Sequence, residues 1–435
     1  MSLKEELYQH ATTQGPIRIG LVGAGQMGTG LISQIEKMIG MRVTAVADII
    51  PGRATKAYLE AGVAFDKLVE KGEDIDNAAQ AIEAGKCIST QSADWLVQIP
   101  NLDVIVECTG IPEVGAKVCD AAISNGKHVV NMNVETDATI GYLLYQKAKK
   151  VGVAYTLAAG DEPGSIKELF DFADVLGFQI IAIGKGKNNP LDRTATPDSV
   201  SAQAKQQKMS PKMLASFVDG TKTMVEMTSV GNGTGFAPEV PGAHGPVCSV
   251  NDLPKVFIPK ADGGILDAPG AVDYAIGDVA PGVFVIITTD QPKIITDLRY
   301  LRLNGYGNYW ALYRPYHLAN LEAPITIAKV VLHQEITLAT DRPPVAETVA
   351  VAKRDLQVGD KLDALGGFTM YGLIDRLENA RRGDMLPLGV AVGATVLKPL
   401  KAGDVIHYSD VQLDESQTIL RLRKEQDSLL SAIMI

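Results

Sequence analysis

Short apolar runs alternate with stretches of helical periodicity through the first 160 residues, as strands and helices laid down in turn would. Residues 17–23, IRIGLVG, read as a buried strand. They run into GAGQMGTGLISQI, whose apolar positions recur three to four apart, as on one face of a helix. MRVTAVAD (41–48), LDVIVECTG (102–110), KHVVNMNVE (127–135) and GVAYTLAAG (152–160) read as further strands, with helical segments such as VGAKVCDAAISNG between them. This alternation predicts a parallel sheet flanked by helices. Beyond residue 160 the rhythm changes. FQIIAIGKGKNN (178–189) is a strand, and SPKMLASFVDGTKTMVEMTSV (210–230) keeps helical spacing throughout. On that helix Asp219, Lys222 and Glu226 fall at i, i+3 and i+7, on one face. GNGTGFAPEVPGAHGP (231–246) is too rich in glycine and proline for a regular element and predicts a loop. After Pro343-Pro344 come short strands and glycine turns, in which VAKRDLQVGD (351–360) and VLKPLKAGD (396–404) form a near-repeat. RLRKEQDSLL, near the end, predicts a helix that docks on a partner subunit.

A chain of 435 residues exceeds one ordinary core. The pattern divides it at 1–160, 161–342 and 343–435. A hydrophobic content of 46% with 42 glycines suits an α/β protein with many strand-to-helix turns. The formal net charge of -10 repels nucleic acid and anionic membrane surfaces alike, so neither is expected as a partner. The opening MSLKEELYQH has no basic-then-apolar leader, no run is long and apolar enough to span a bilayer, and the four cysteines form no CxxC pair; a cytoplasmic location is expected.

The chemistry begins at Gly23-x-Gly25-x-x-Gly28, which follows a strand and opens a helix. Gly23 allows the tight turn, Gly25 admits a pyrophosphate close to the backbone, and Gly28 lets helix and strand pack; Gln26 and Met27 lie inside the same turn. Asp48 ends the next strand, about 20 residues on, where an acid accepts hydrogen bonds from the adenosine ribose of NAD. Arg53, close behind, suits the 2′-phosphate of NADP, so spacing leaves the coenzyme open. At the carboxyl ends of later strands, Thr109, Gly110, Asn131, Asn133 and Glu135 are placed to surround a nicotinamide. Asp161 and Glu162, in GDEPGS, have two readings: helix capping, or hard oxygen ligands for Mg²⁺ or Mn²⁺.

The run CTGIPEVGAKVCDAAISNGKHVVNMNVETD, followed by AAGDEPGS, resembles the N-terminal half of homoserine-dehydrogenase-like oxidoreductases over about 160 residues. With IGKGKNNPLDR, VDGTKTMVEMTSVGNGTGF and the C-terminal texture, the whole chain resembles the 1-deoxy-D-xylulose 5-phosphate reductoisomerase-like enzymes with a SAF-like C-terminal domain. The resemblance implies an N-terminal Rossmann domain, an α+β catalytic and dimerisation domain, and a small β-rich SAF-like module. It further implies a homodimer that uses NADPH and Mg²⁺ or Mn²⁺ to convert 1-deoxy-D-xylulose 5-phosphate to 2-C-methyl-D-erythritol 4-phosphate, a step of isoprenoid synthesis. Two alternatives stand beside it: a homoserine-dehydrogenase-like enzyme for another aldehyde/alcohol pair, and a non-enzymatic NAD(P)H-sensing regulator.

Under the reductoisomerase reading, Asp161 and Glu162 hold the metal and take part in catalysis. Lys187 or Lys222 moves protons, and Asp219 orients the lysine. A phosphorylated sugar needs cationic and polar donors, for which Lys185, Asn188, Lys205, Lys208, Glu226, Arg314 and His317 are the candidates. His244, a solitary imidazole in the glycine-rich loop, is left outside the site.

Overall fold

The computed structural model describes residues 1–70 and 74–433. The chain forms two compact units: Met1–Asp161 with Leu318–Asp341 and Lys424–Ile435, and Glu162–His317 with Arg342–Arg423.

The first unit is built on seven strands, β1 (Ile17–Val22), β2 (Met41–Ala47), β3 (Leu68–Glu70), β4 (Cys87–Thr90), β5 (Val104–Glu107), β6 (His128–Asn131) and β7 (Tyr155–Leu157), in the order β3-β4-β2-β1-β5-β6-β7. Every pairing is parallel. The order reverses direction between β1 and β5, and a sheet of this kind opens its ligand crevice at the carboxyl ends of the strands flanking that point. Helices cover both faces, which is why β1 and β5 read as continuous apolar runs: Ile17, Ile19, Leu21, Val104 and Val106 are all fully buried. Burial of each such side chain stabilises the fold by about 1.5–3 kcal/mol. The helix Ala319–His333 belongs here too. Its Ala323 and Ile327 join Leu31, Ile32 and Ile35 in one core cluster, and Leu338 pairs with Leu157 beyond it. An apolar stripe therefore returns residues 318–341 to the first unit, against the continuous division at 160 and 342 expected from the sequence.

The second unit carries a mixed five-stranded sheet of β8 (Gln179–Lys187), β9 (Ala271–Ile276), β10 (Val283–Thr288), β11 (Gly305–Tyr306) and β12 (Tyr309–Arg314), ordered β11-β12-β10-β8-β9. β8 and β9 are parallel and the other pairs antiparallel. The helices Glu162–Val175 and Thr221–Thr234 pack on it.

Residues 343–423 are part of this unit and not a third body. β13 (Ala346–Ala352) and β14 (Met370–Arg376) pair antiparallel and are tied to the helix Thr221–Thr234: Thr228 and Thr348 hydroxyls meet at 2.7 Å, Asn232 Oδ1 accepts from Ala346 N–H at 2.9 Å, and Thr221 Oγ1 accepts from Gly372 N–H at 2.9 Å. The near-repeat has a physical counterpart. Leu356 and Leu400, at equivalent places, exchange both backbone hydrogen bonds. The following glycines, Gly359 and Gly403, both turn at φ near +90°. Asp360 accepts from Gln357 N–H as Asp404 accepts from Lys401 N–H. The terminal helix, Thr418–Ile433, makes contacts within its own chain: Arg423 pairs with Glu347 at 2.7 Å within the second unit, and Gln426 bonds Leu143 N–H and Thr139 O within the first.

Candidate functional site

In the first unit the three glycines divide their work as steric constraint requires. Gly23 sits at φ +97°, where a Cβ would lie 3.0 Å from Cys108 carbonyl carbon. Gly25 caps the helix Gln26–Ile35 and has nothing within 4 Å of a notional Cβ, so the helix N-terminus is open to an anion. A Cβ on Gly28 would overlap the Gly23 carbonyl. Gln26 and Met27 are exposed at the mouth of this turn. Asp48 is buried, with Oδ2 accepting from Ala24 N–H and Oδ1 from Ile50 N–H, both at 2.9 Å; Arg53 lies 3.8 Å from Oδ1. The acid thus fastens the glycine turn to the end of β2.

Thr109 and Gly110 lie at the carboxyl end of β5, partly and fully exposed. Asn131 and Asn133 do not reach outward. The Asn131 amide donates to Tyr155 Oη and Asn133 O, and Asn133 bridges Ile111 O to Thr136 N–H. Their polar atoms are spent on fixing the loop and on capping the helix Val134–Val151, within whose first turn Glu135 lies buried. Beneath them the structure shows a group that sequence reading missed. Glu107 is fully buried at the end of β5; its Oε1 accepts from Thr109 N–H at 2.8 Å while Oε2 has no partner among the described residues. Burial pushes its carboxyl up to about 7, against the hydrogen bonds from Thr109 and Asn133. The only signal in the sequence is an acid ending an apolar strand.

In the second unit Lys185 stands between Glu162 and Glu226, its ammonium donating to both carboxylates. Lys185 comes from β8, Glu162 from the first turn of Glu162–Val175, and Glu226 from Thr221–Thr234. All three are buried. Desolvation works against the Lys185 charge, yet the two glutamates hold its pKa well above the ordinary lysine value. Burial, and then Glu162, push Glu226 up. His317 donates from Nδ1 to Pro281 O at 2.7 Å and sets Nε2 3.5 Å from Glu162 Oε1. This geometry corrects two expectations. Of the two acids expected to hold a divalent cation, Glu162 is instead closed around the Lys185 ammonium together with Glu226. Lys185, doubly paired, is not a free phosphate donor. Asp161 is the last residue of the first unit, directly before Glu162.

Lys187 is two residues along β8, on the same face as Lys185. It is buried, and its ammonium donates to Asn189 O at 2.8 Å and Phe217 O at 2.7 Å. Desolvation first, and the Lys185 charge second, lower its pKa to about 8. The segment 210–230 is two helices, Pro211–Val218 and Thr221–Thr234, broken where Gly220 takes φ +89°. Asp219 therefore does not orient Lys222. It is fully buried and pairs with Lys353 at 2.8 Å, a lysine that no local pattern singles out and whose ammonium also donates to Ala195 O and Gly367 O. Lys222 and Glu226 remain one turn apart, and the lysine charge favours the ionised glutamate. The second helix continues through Thr234, four residues into the stretch expected to be a loop.

The other phosphate candidates are placed elsewhere. Lys205, Lys208 and Asn188 are exposed. Arg314 donates to Glu168 at 2.9 Å and to Ser165, and stacks on Tyr316. His244 is not solitary: its Nδ1 meets buried Asp273 at 2.8 Å, a contact that raises its pKa.

Residues 23–158 match the family described as homoserine dehydrogenase, NAD binding domain, and residues 160–323 the family described as oxidoreductase DRL, catalytic domain. A homoserine dehydrogenase of Methylobacillus glycogenes is 29% identical over 118 residues, 27% of this chain; the match spans 25% of that relative's length. Among solved structures, a probable dehydrogenase from Thermotoga maritima aligns over 73% of this chain and 90% of its own, at 14% identity and a TM-score of 0.42. The 1-deoxy-D-xylulose 5-phosphate reductoisomerase of Zymomonas mobilis aligns over 48% of this chain and 57% of its own, at 20% identity and a TM-score of 0.34. The first match is to an NAD-binding domain and the second to an oxidoreductase catalytic domain, each over less than half of the chain.

Proposed function

We propose that this chain is an NAD(P)-dependent oxidoreductase that interconverts a carbonyl compound and its alcohol, with Lys187 as the proton donor and acceptor. Lys187 carries the reading. It is a buried lysine whose charge is opposed by burial and by Lys185, so its ammonium gives up a proton near pH 8, more than two units below an ordinary lysine. The backbone carbonyls of Asn189 and Phe217 fix the amine in place. When bound, the dinucleotide supplies hydride to the carbonyl carbon or accepts it from the alcohol. Lys187 delivers a proton to the developing alkoxide oxygen and is left as a neutral amine, a state its surroundings favour. Lys185 keeps its proton and stays locked between Glu162 and Glu226, holding positive charge beside Lys187.

For the coenzyme we favour NADPH. Both oxygens of Asp48 already accept backbone hydrogen bonds, and Arg53 lies beside them as a guanidinium suited to a 2′-phosphate. Tighter binding of NADH than of NADPH would reverse this choice.

The reductoisomerase reading, conversion of 1-deoxy-D-xylulose 5-phosphate with Mg²⁺ or Mn²⁺, asks for a cation where Lys185 already neutralises the acids. Simple carbonyl reduction is therefore preferred. The test is NADPH oxidation by the purified chain across a panel of aldehydes, hydroxy-aldehydes and aspartate semialdehyde, together with the phosphorylated deoxyxylulose, each with EDTA or with Mn²⁺. We expect metal-independent turnover of a carbonyl substrate. Turnover of the deoxyxylulose phosphate alone, and only with Mn²⁺, would establish the reductoisomerase instead.

A further inference from the structure

Arg193 lies in the segment that follows β8, one residue beyond Asp192. Asp192 N–H donates to Val218 O at 3.0 Å, and Lys187 donates to Phe217 O, so both segments are fastened to the end of the helix Pro211–Val218. The Arg193 guanidinium lies over the Tyr371 ring, 5.1 Å from its centroid. On another side Gly242, at φ +79°, comes so close that a Cβ there would stand 3.0 Å from Nη2. Burial pushes the Tyr274 phenol up, and the Arg193 charge works against that rise. Tyr274 is the register partner of Lys185 across β8 and β9.

Half-buried and held by an aromatic ring and a glycine backbone, Arg193 has no hydrogen-bond or ion-pair partner among the described residues. Nearby cations differ in this respect: Lys185 is taken by Glu162 and Glu226, Lys353 by Asp219, and Arg314 by Glu168. A guanidinium offers five N–H donors in a rigid fork that matches a carboxylate or phosphate two bonds at a time. Stacking fixes the plane of that fork without using any of the donors.

We propose that Arg193 binds the anionic group, carboxylate or phosphate, of the substrate, which makes the substrate class an anionic carbonyl compound. The proposal rests on the redox reading above and gives its substrate a handle.

The experiment uses the full chain saturated with NADPH, so that the dinucleotide turn is filled, and follows thermal unfolding as inorganic phosphate or malonate is raised at constant ionic strength in chloride. The wild-type midpoint should rise to a plateau with at least one of the two, phosphate alone marking a phosphorylated substrate and malonate alone a carboxylated one. Arg193→Gln should weaken the apparent affinity about tenfold or more, Arg193→Lys should retain part of it, and the midpoint shift caused by NADPH should be the same in all three proteins. A plateau unchanged in Arg193→Gln, or a shift that climbs without saturating in the wild type, would overturn the proposal. Failure of every carbonyl to oxidise NADPH would sink the redox reading and leave the anion result standing, so the two failures are distinct.

Discussion

Replacing Lys185 with Met removes the ammonium between Glu162 and Glu226 and leaves two buried carboxylates whose oxygens lie within 4.8 Å of one another. Two unit charges at that separation repel by about 3 kcal/mol at an effective dielectric constant of ~20. Breaking a buried ion pair by removing one partner costs a similar ~3–5 kcal/mol. Set against a typical domain stability of ~5–15 kcal/mol, such a loss is readily measured by urea unfolding. The sign of its pH dependence follows from Glu226. Burial and Glu162 already hold its carboxyl above the ordinary 4.5, and removal of the lysine takes away the strongest opposing charge, so it rises further. A group whose folded pKa is raised contributes stability below its unfolded value and loses it as pH rises through the folded one. The deficit of Lys185→Met should therefore be small near pH 5 and full at pH 8. Mn²⁺ should stabilise the variant, whose carboxylates are then open, and leave the wild type unmoved. A deficit under about 1 kcal/mol at pH 8, or one equal at both pH values, would refute the view that the glutamates are there to hold the lysine.

With Lys187 as the acid, carbonyl reduction should fall as pH rises through about 8, and Lys187→Met should lower kcat by about 10²- to 10⁴-fold with NADPH affinity unchanged by fluorescence titration; a flat profile above pH 8 would exclude this role. Gly28→Ala should abolish dinucleotide binding, because the new methyl group collides with the Gly23 carbonyl; calorimetry giving wild-type affinity would contradict that. Glu107, with a carboxyl raised from 4.5 to about 7, should cost the wild type stability as pH rises through neutrality. Glu107→Gln should match the wild type near pH 5 and exceed it by up to ~3 kcal/mol at pH 8, and parallel urea-stability curves for the two proteins would count against the raised value.

What could be read from the chain alone was whatever depends on local pattern. The strand, glycine turn and helix at residues 17–35, the acid ending β2 and the parallel sheet follow from periodicity and from the steric demands at Gly23 and Gly28. The near-repeat was also visible, because symmetric pairing of Leu356 with Leu400 needs equivalent residues at equivalent places. Helix boundaries were less legible. Gly220 ended one helix that spacing alone would have continued, while Gly231 and Gly233 were absorbed into the next, since burial against β13 and β14 outweighs their low helix propensity. Which charge meets which was decided by tertiary structure. Lys185 finds Glu162 and Glu226 across 23 and 41 residues, and Asp219 finds Lys353 across 134, while the nearby Lys222 is not its partner. Periodicity determines which face of an element is polar, but a buried charge takes as partner whatever opposite charge the packing of separate elements brings within reach, and no spacing along the chain encodes that distance.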